Sequence, residues 1–485
     1  MAVSPADVRA IVERVCARPE VLAACARRDL GTVISALTDK RMGGLTQGRI
    51  AELTGISQGR LSEWVNGKRE PKGVATFQKF ANGVAMPPAA RRALGLDSVA
   101  PAQTLAPRLS PDLSIPYPDT PMDAARNVSR LWLADLDDAT ALHLSRAAPH
   151  VWNDASLRWL VDPGKVPEES ARGVRIGMSD IDRFRATVDM FDQLDDRYGG
   201  GHARQALIQY LSTDADRMLS GRYNDAVGRA LFTAVGEATL LAAWMSYDSV
   251  PTSALAQSYF VQALALAQAG NDRLLGASIL DAMSHQATFT GRYTEAATLA
   301  RAAQSGTRGI ATPTLTAHFH TMEARARARL RDAKGCSHAL AESMHKFERS
   351  NPQNDPMWIR YFNESELSAE LGHCMRDLGR ANDAVQHAQI ALSASGNFAR
   401  SDFFVSLVLA DAHLAAGDVD QACAVTLHAL TAGEQIRSGR CVSYLREFMC
   451  HLPASSNRGV ADFREQAAES RLWRIATQPG KPVAS

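Results

Sequence analysis

One short pattern recurs through the second half of this 485-residue chain: GRYNDA (221–226), GRYTEA (291–296), GRANDA (379–384) and GDVDQA (417–422), with RDAKGC (331–336) as a degraded copy. The four clear copies share a Gly-x-x-x-acid/Gln-Ala arrangement, and from 291 onward, with the degraded copy counted, successive copies lie 38–48 residues apart. Each copy after the first follows a helical stretch and opens the next. Helix pairs are therefore expected at 226–248/252–269, 273–290/292–305, 313–330/332–347, 361–378/380–394 and 399–416/418–434, with a last pair at 440–451 and 458–475. A lone helical hairpin cannot bury its apolar face, whereas stacked hairpins bury a continuous core and leave a concave inner surface. Alanines at the hairpin corners (Ala296, Ala384, Ala422) let paired helices approach closely. The expectation is an all-α array over 221–475, in keeping with an aromatic content of only 6%.

Upstream, residues 97–121 carry six prolines (101, 107, 111, 116, 118 and 121), which break helices and leave a semi-extended tether. This divides the chain into an N-terminal module (1–96), a linker (97–121), a helical connecting or dimerisation region (122–220), the array (221–475) and a disordered tail (476–485). Within the connecting region Ser179 is the expected N-cap of a helix. Ile181, Phe184, Val188, Phe191 and Leu194 draw one apolar stripe along it, read as core in preference to a dimer seam. Gly199–Gly201 stops that helix, and a further one is expected from about 202 to 219; a flexible ligand loop is the alternative for the glycines. The seven cysteines are scattered, without a CxxC, so neither a disulfide framework nor a zinc site is expected. No apolar run approaches the ~18–20 residues of a membrane span. No signal peptide is read at the N-terminus.

The near-neutral total of 53 basic and 52 acidic side chains hides an asymmetry, because residues 40–92 are +7 and the remainder −6. A basic module on an acidic body points to a polyanion partner. Inside that module, QGRIAELTGISQGRLSEWVN (47–66) fills each special position of two helices joined by a tight turn. Ala51 is small at the closest approach, and Gly55 sits where a left-handed backbone is needed. Ile50, Leu61 and Trp64 form the buried wedge. Thr46 and Ser57 are expected N-caps, and Asn66–Gly67 closes the second helix. Val33, Ile34 and Leu37 before, and Phe77, Phe80 and Val84 after, complete a small core.

The segment LTQGRIAELTGISQGRLSEWVNGKREP (45–71) resembles the XRE family of phage-repressor-like helix-turn-helix domains, through Leu45, Thr46, Gln47, Ala51, Gly55, Ile56, Ser57, Leu61, Ser62, Trp64, Gly67 and Pro71. The resemblance implies a five-helix domain whose second motif helix, about 58–66, enters the major groove of operator DNA. By position, Gln58 matches a base-reading glutamine suited to adenine, and Arg60, Ser62 and Glu63 are further base-reading candidates. Arg60 is equally placed for phosphate; Glu63 is suited to cytosine N4 or to orienting Arg60. Gln47, Asn66, Lys68 and Arg69 match positions that hold the phosphate backbone. Gly59 departs from the polar reader common beside that glutamine. The alternative is a degenerate domain used only for protein contacts.

The array resembles tetratricopeptide (TPR) repeats, although the characteristic Trp, Tyr and Pro positions are mostly absent, and a different α-solenoid or a bundle is the alternative. The layout of helix-turn-helix followed by TPR-like repeats is similar to that of peptide-pheromone receptors and of large actinomycete regulators, which implies a regulator of secondary metabolism or development. Polar groups in otherwise apolar repeat helices, namely Tyr247, His285, Gln286 and His320, are candidates to line a groove for a peptide or small-molecule effector; inter-repeat hydrogen bonding is their other reading. His318 and His320 point about 200° apart on a helix, so they are not expected to share a metal. No catalytic residue, metal site or cofactor is expected. The reading is a cytoplasmic, nucleoid-associated, homodimeric regulator of double-stranded operator DNA, with an interaction scaffold tethered to DNA as the alternative.

Overall fold

The structure, a computed structural model, describes residues 5–42, 44–71, 73–94, 96, 115–144, 147–162, 164–165, 167, 173–251, 254–396, 398–453 and 458–478. The linker residues 97–114 and the tail residues 479–485 lie outside the described residues. The fold is all-α. Among the described residues no strand forms, only an isolated bridge between Arg175 and Arg222. The chain divides into two units, 1–108 and 109–485.

The N-terminal unit begins with α1 (Pro5–Cys16) and α2 (Pro19–Ala26). Pro19 stands in the first turn of α2, where its missing N–H has no partner to lose. The five helices expected of the domain follow: α3 (Leu30–Thr38), α4 (Gln47–Thr54), α5 (Gln58–Val65), α6 (Val74–Gly83) and α7 (Pro88–Ala93). Val33, Ile34, Leu37, Ile50, Leu61, Trp64, Phe77, Phe80 and Val84 share one buried core with side chains of α1 and α2. A Cβ on Gly31 of α3 would lie 2.3 Å from the Trp64 carbonyl oxygen, so glycine there sets how closely α3 and α5 pack.

The second unit opens with α8 (Pro121–Leu144), α9 (Pro149–Val161) and α10 (Met178–Tyr198). Residues 115–120 of the expected tether already pack here: Ile115 is buried, and the Tyr117 hydroxyl donates to Gln268. The cap of α10 is Gly177 in place of Ser179, because the Asp180 carboxylate takes the Gly177 N–H at 2.8 Å. Ile181, Phe184 and Val188 are buried and Phe191 packs on Tyr210 as the core reading expects, while Leu194 is 36% exposed. Next come α11 (Arg204–Tyr210), a π-helical turn (Leu211–Ala215) and α12 (Asp216–Leu219).

The hairpins follow as α13/α14 (Asp225–Ser249, Ala254–Ala269), α15/α16 (Arg273–Phe289, Tyr293–Gly306), α17/α18 (Pro313–Arg329, Ala333–Phe347), α19/α20 (Glu364–Asp377, Ala381–Ser393) and α21/α22 (Ala399–Ala416, Val419–Ala432). The last pair differs from expectation. After α23 (Gly439–His451), the return is broken into α24 (Arg458–Ala467) and α25 (Arg471–Thr477), because Ser470 takes an extended backbone and starts a new helix. The first helix of each hairpin packs on the first helix of the next, and α13 also packs on α23, so the two ends of the array meet. One expectation needs correction: Asp225–Ser249 is long and apolar enough by composition to cross a membrane. Most of its apolar residues are buried against neighbouring helices, as in a core helix.

Candidate functional site

The turn between α4 and α5 is built from local chemistry. Thr46 caps α4 by accepting the Arg49 N–H at 3.1 Å. Gly55 takes φ +62°, a left-handed conformation that disfavours a Cβ. Lys79 of α6 reaches back to donate to the Gly55 carbonyl at 2.9 Å, a brace that the sequence did not reveal. Ser57 holds the N-cap position of α5, but its side chain makes no capping bond, contrary to expectation; its hydroxyl stays on the exposed surface.

That surface runs along α5. Gln58, Gly59 and Arg60 are exposed at its start, and Asn66, Lys68 and Arg69 are exposed at its exit. A Cβ on Gly48 would lie 3.9 Å from Gln58 Oε1, so the Gln58 carboxamide stands beside the first turn of α4, where Gln47 is half-exposed. The site is thus brought together, with two departures at single side chains. Glu63 approaches Arg69 at 3.7 Å rather than orienting Arg60. Asn66 is folded back onto its own helix, donating to the Ser62 carbonyl at 2.8 Å and to its hydroxyl at 3.2 Å, so these two side chains engage each other. Gln58, Arg60 and Lys68 present polar or cationic ends to solvent, which suits base edges and phosphates.

Within the array a second polar region lies on the inner helices. Tyr247 is fully buried, with its hydroxyl 3.0 Å from His285 Nδ1. The other two expected groove residues do not join them. Gln286 is buried with its carboxamide unpartnered, one position round the helix from His285. The inward histidine of α17 is His318, whose Nδ1 meets Asp281 at 2.6 Å; His320, two positions on, faces away from it. Burial pulls the His318 pKa down, but Asp281 outweighs it and holds the ring above its ordinary value. Beside them, burial and then the neighbouring Glu370 push Glu366 up to about 7. His285 goes the other way, driven well down by burial and by Arg325 and Arg440.

The ends of the array are joined at Asp248. It accepts from the Gly200 N–H at 2.9 Å, the Ser438 hydroxyl at 2.8 Å and Arg440 Nε at 2.9 Å. Arg400 stands 3.6 Å from Asp248 and 2.8 Å from Asp195. Burial works against the Asp248 charge, but Arg440 and Arg400 hold its pKa below the ordinary value. The glycine triplet is close-packed in this joint. A Cβ on Gly200 would lie 2.4 Å from the Met245 carbonyl, and one on Gly199 2.8 Å from that of Arg437.

In comparison with known proteins, a family model described as helix-turn-helix matches residues 40–74, the segment that contains α4 and α5. The chain therefore carries an XRE-like helix-turn-helix module, of the DNA-binding type used by transcriptional regulators. No curated protein and no solved structure matches the chain.

Proposed function

We propose that this chain is a sequence-specific regulator that binds operator DNA as a homodimer and is controlled by an effector held in its TPR-like array. The single observation that carries the reading is the exposed face of α5, with Gln58 and Arg60 at its start and Lys68 and Arg69 at its exit, on a module of net charge +7 over 40–92. In this reading Gln58 and Arg60 meet base edges. Gln47, Lys68 and Arg69 hold phosphates. Ser62, Glu63 and Asn66 contribute once the Ser62–Asn66 and Glu63–Arg69 contacts rearrange on DNA. A single helix reads only a few base pairs, which is why two copies on a palindromic site are expected. The effector acts through the junction at Asp248: a ligand that prefers one curvature of the array shifts the population of that state and with it the spacing of two DNA-binding heads.

Two substitutions test the DNA assignment. Gln58→Ala is expected to relax preference at one base position, by about 1–3 kcal/mol of discrimination, with little change at the others. Lys68→Ala is expected to weaken binding to all sequences and to reduce the slope of log affinity against log salt by about one. Equal salt slopes for Lys68→Ala and the parent would contradict the phosphate role.

A further inference from the structure

We infer that the interior of the array is a binding site for an organic carboxylate carried on an apolar body, centred on Arg325, His373 and Tyr444. This deepens the sensor reading above and rests on it for its regulatory meaning only.

Two buried side-chain nitrogens here lack partners. Arg325 of α17 is only 7% exposed and is held by Glu370 through one terminal nitrogen, which leaves its Nε unpartnered. His373 of α19 is 5% exposed, and its Nδ1 is unpartnered. Buried polar atoms without partners are uncommon and unfavourable, so the Arg325 Nε–H, with an imidazole beside it that can turn its own N–H to a ligand, marks a place where an acceptor-rich group belongs. Three of the neighbouring carboxylates are already committed to arginines. Glu370 serves Arg325, Asp248 serves Arg440, and Asp377 serves both Arg376 and Arg329. The surroundings stay cationic: burial lowers the His373 pKa most, and Arg325 and Arg376 lower it further.

Aromatic rings surround these donors. The His373 ring lies 5.8 Å from Tyr444 in an edge arrangement, and Phe404 lies 5.1 Å from the same tyrosine. Phe289 closes the other side at 6.2 Å from Tyr444. Arg440 spreads over the Phe404 ring at 4.7 Å, with its charge directed to Asp248. Phe289 and Phe404 are half-buried, so an apolar ligand surface can gain contact with them. A carboxylate would accept from Arg325 Nε and, in the Nδ1–H tautomer, from His373, and its apolar body would lie along Phe289 and Phe404. The same chemistry is offered by a small aromatic acid and by the C-terminal carboxylate of a peptide that ends in an apolar residue.

The test uses the full chain and titration calorimetry with 2-naphthoate, 2-naphthamide, inorganic phosphate, and an acetylated tripeptide ending in Phe with a free or amidated C-terminus. The carboxylates are expected to bind at least about tenfold more tightly than their amides. Phosphate, which has no apolar body, is expected to bind weakly. Tighter binding by naphthoate or by the free-acid peptide assigns the source. His373→Leu removes a donor without stranding a charge, and Arg325→Met with Glu370→Gln removes the ion pair as a unit. Each is expected to weaken carboxylate binding at least about tenfold, with the far-ultraviolet dichroism and melting curve of His373→Leu matching the parent. Amides that bind as well as acids, a His373→Leu variant that binds like the parent, or no heat with any probe at millimolar concentration would overturn the site. Binding that leaves operator affinity unchanged would keep the site and remove the sensor reading.

Discussion

At the residue scale the clearest prediction concerns Glu366. Its pKa is raised from an ordinary 4.5 to about 7 in the folded chain, first by burial and then by Glu370, with His318 and Arg325 opposing and Asp402 adding to the rise. A carboxyl raised on folding stabilises the native state below its unfolded pKa, and that stability is lost as pH rises through the folded value. Glu366 therefore costs stability as pH rises from about 5 to about 8, while His285 and His373, lowered by burial, gain it over the same range; Glu366→Gln is expected to remove the Glu366 loss, its melting temperature rising relative to the parent's toward the higher pH. His318 does not reverse the sign: it is raised too, so its contribution is also lost as pH rises. Melting curves of the two proteins at both pH values check this, and parallel curves would contradict it. Much of the turn was legible from residues alone. The Thr46 cap and the Gly55 backbone depend on neighbours a few positions away. His318 was not distinguished from His320, because the inward face of a repeat helix is chosen by packing against α15 and α19. The Lys79 brace was hidden for a similar reason, since its acceptor lies 24 residues upstream.

At the scale of elements, two close approaches govern how helices meet. Valine at Gly31 would drive a side chain into the Trp64 carbonyl. Gly31→Val is expected to destabilise the N-terminal unit by about 1–3 kcal/mol and to lower DNA affinity with every exposed α5 side chain intact. Urea unfolding and operator binding measure both effects. In the array, Asp248→Asn would strand the buried charge of Arg440 and leave Arg400 to Asp195 alone. The expected loss is about 3–5 kcal/mol, with faster amide exchange in α23, and unchanged exchange there would show that the ends are joined by other means. Hairpin positions were readable because the repeated motif marks each corner. The joint was not: Gly199–Gly201 reads locally as a helix stop, whereas its packing partners, Met245 and Arg437, come from distant segments. The break before α25 was missed because the apolar pattern through Phe463 and Leu472 continues across it.

At the scale of the whole molecule, the proposed regulator recognises sequence through its N-terminal unit and is controlled through the array. Affinity for operator DNA is expected to fall steeply with salt, as phosphate contacts release counterions, while the order of preference among sequences stays fixed. The central claim is that the exposed face of α5 reads bases. Selection from random duplex oligonucleotides with the purified full chain tests it most directly. Enrichment of one short palindromic site is expected, with preference at a single position in each half lost in Gln58→Ala. Retention of oligonucleotides without any shared sequence, even at low ionic strength, would contradict it.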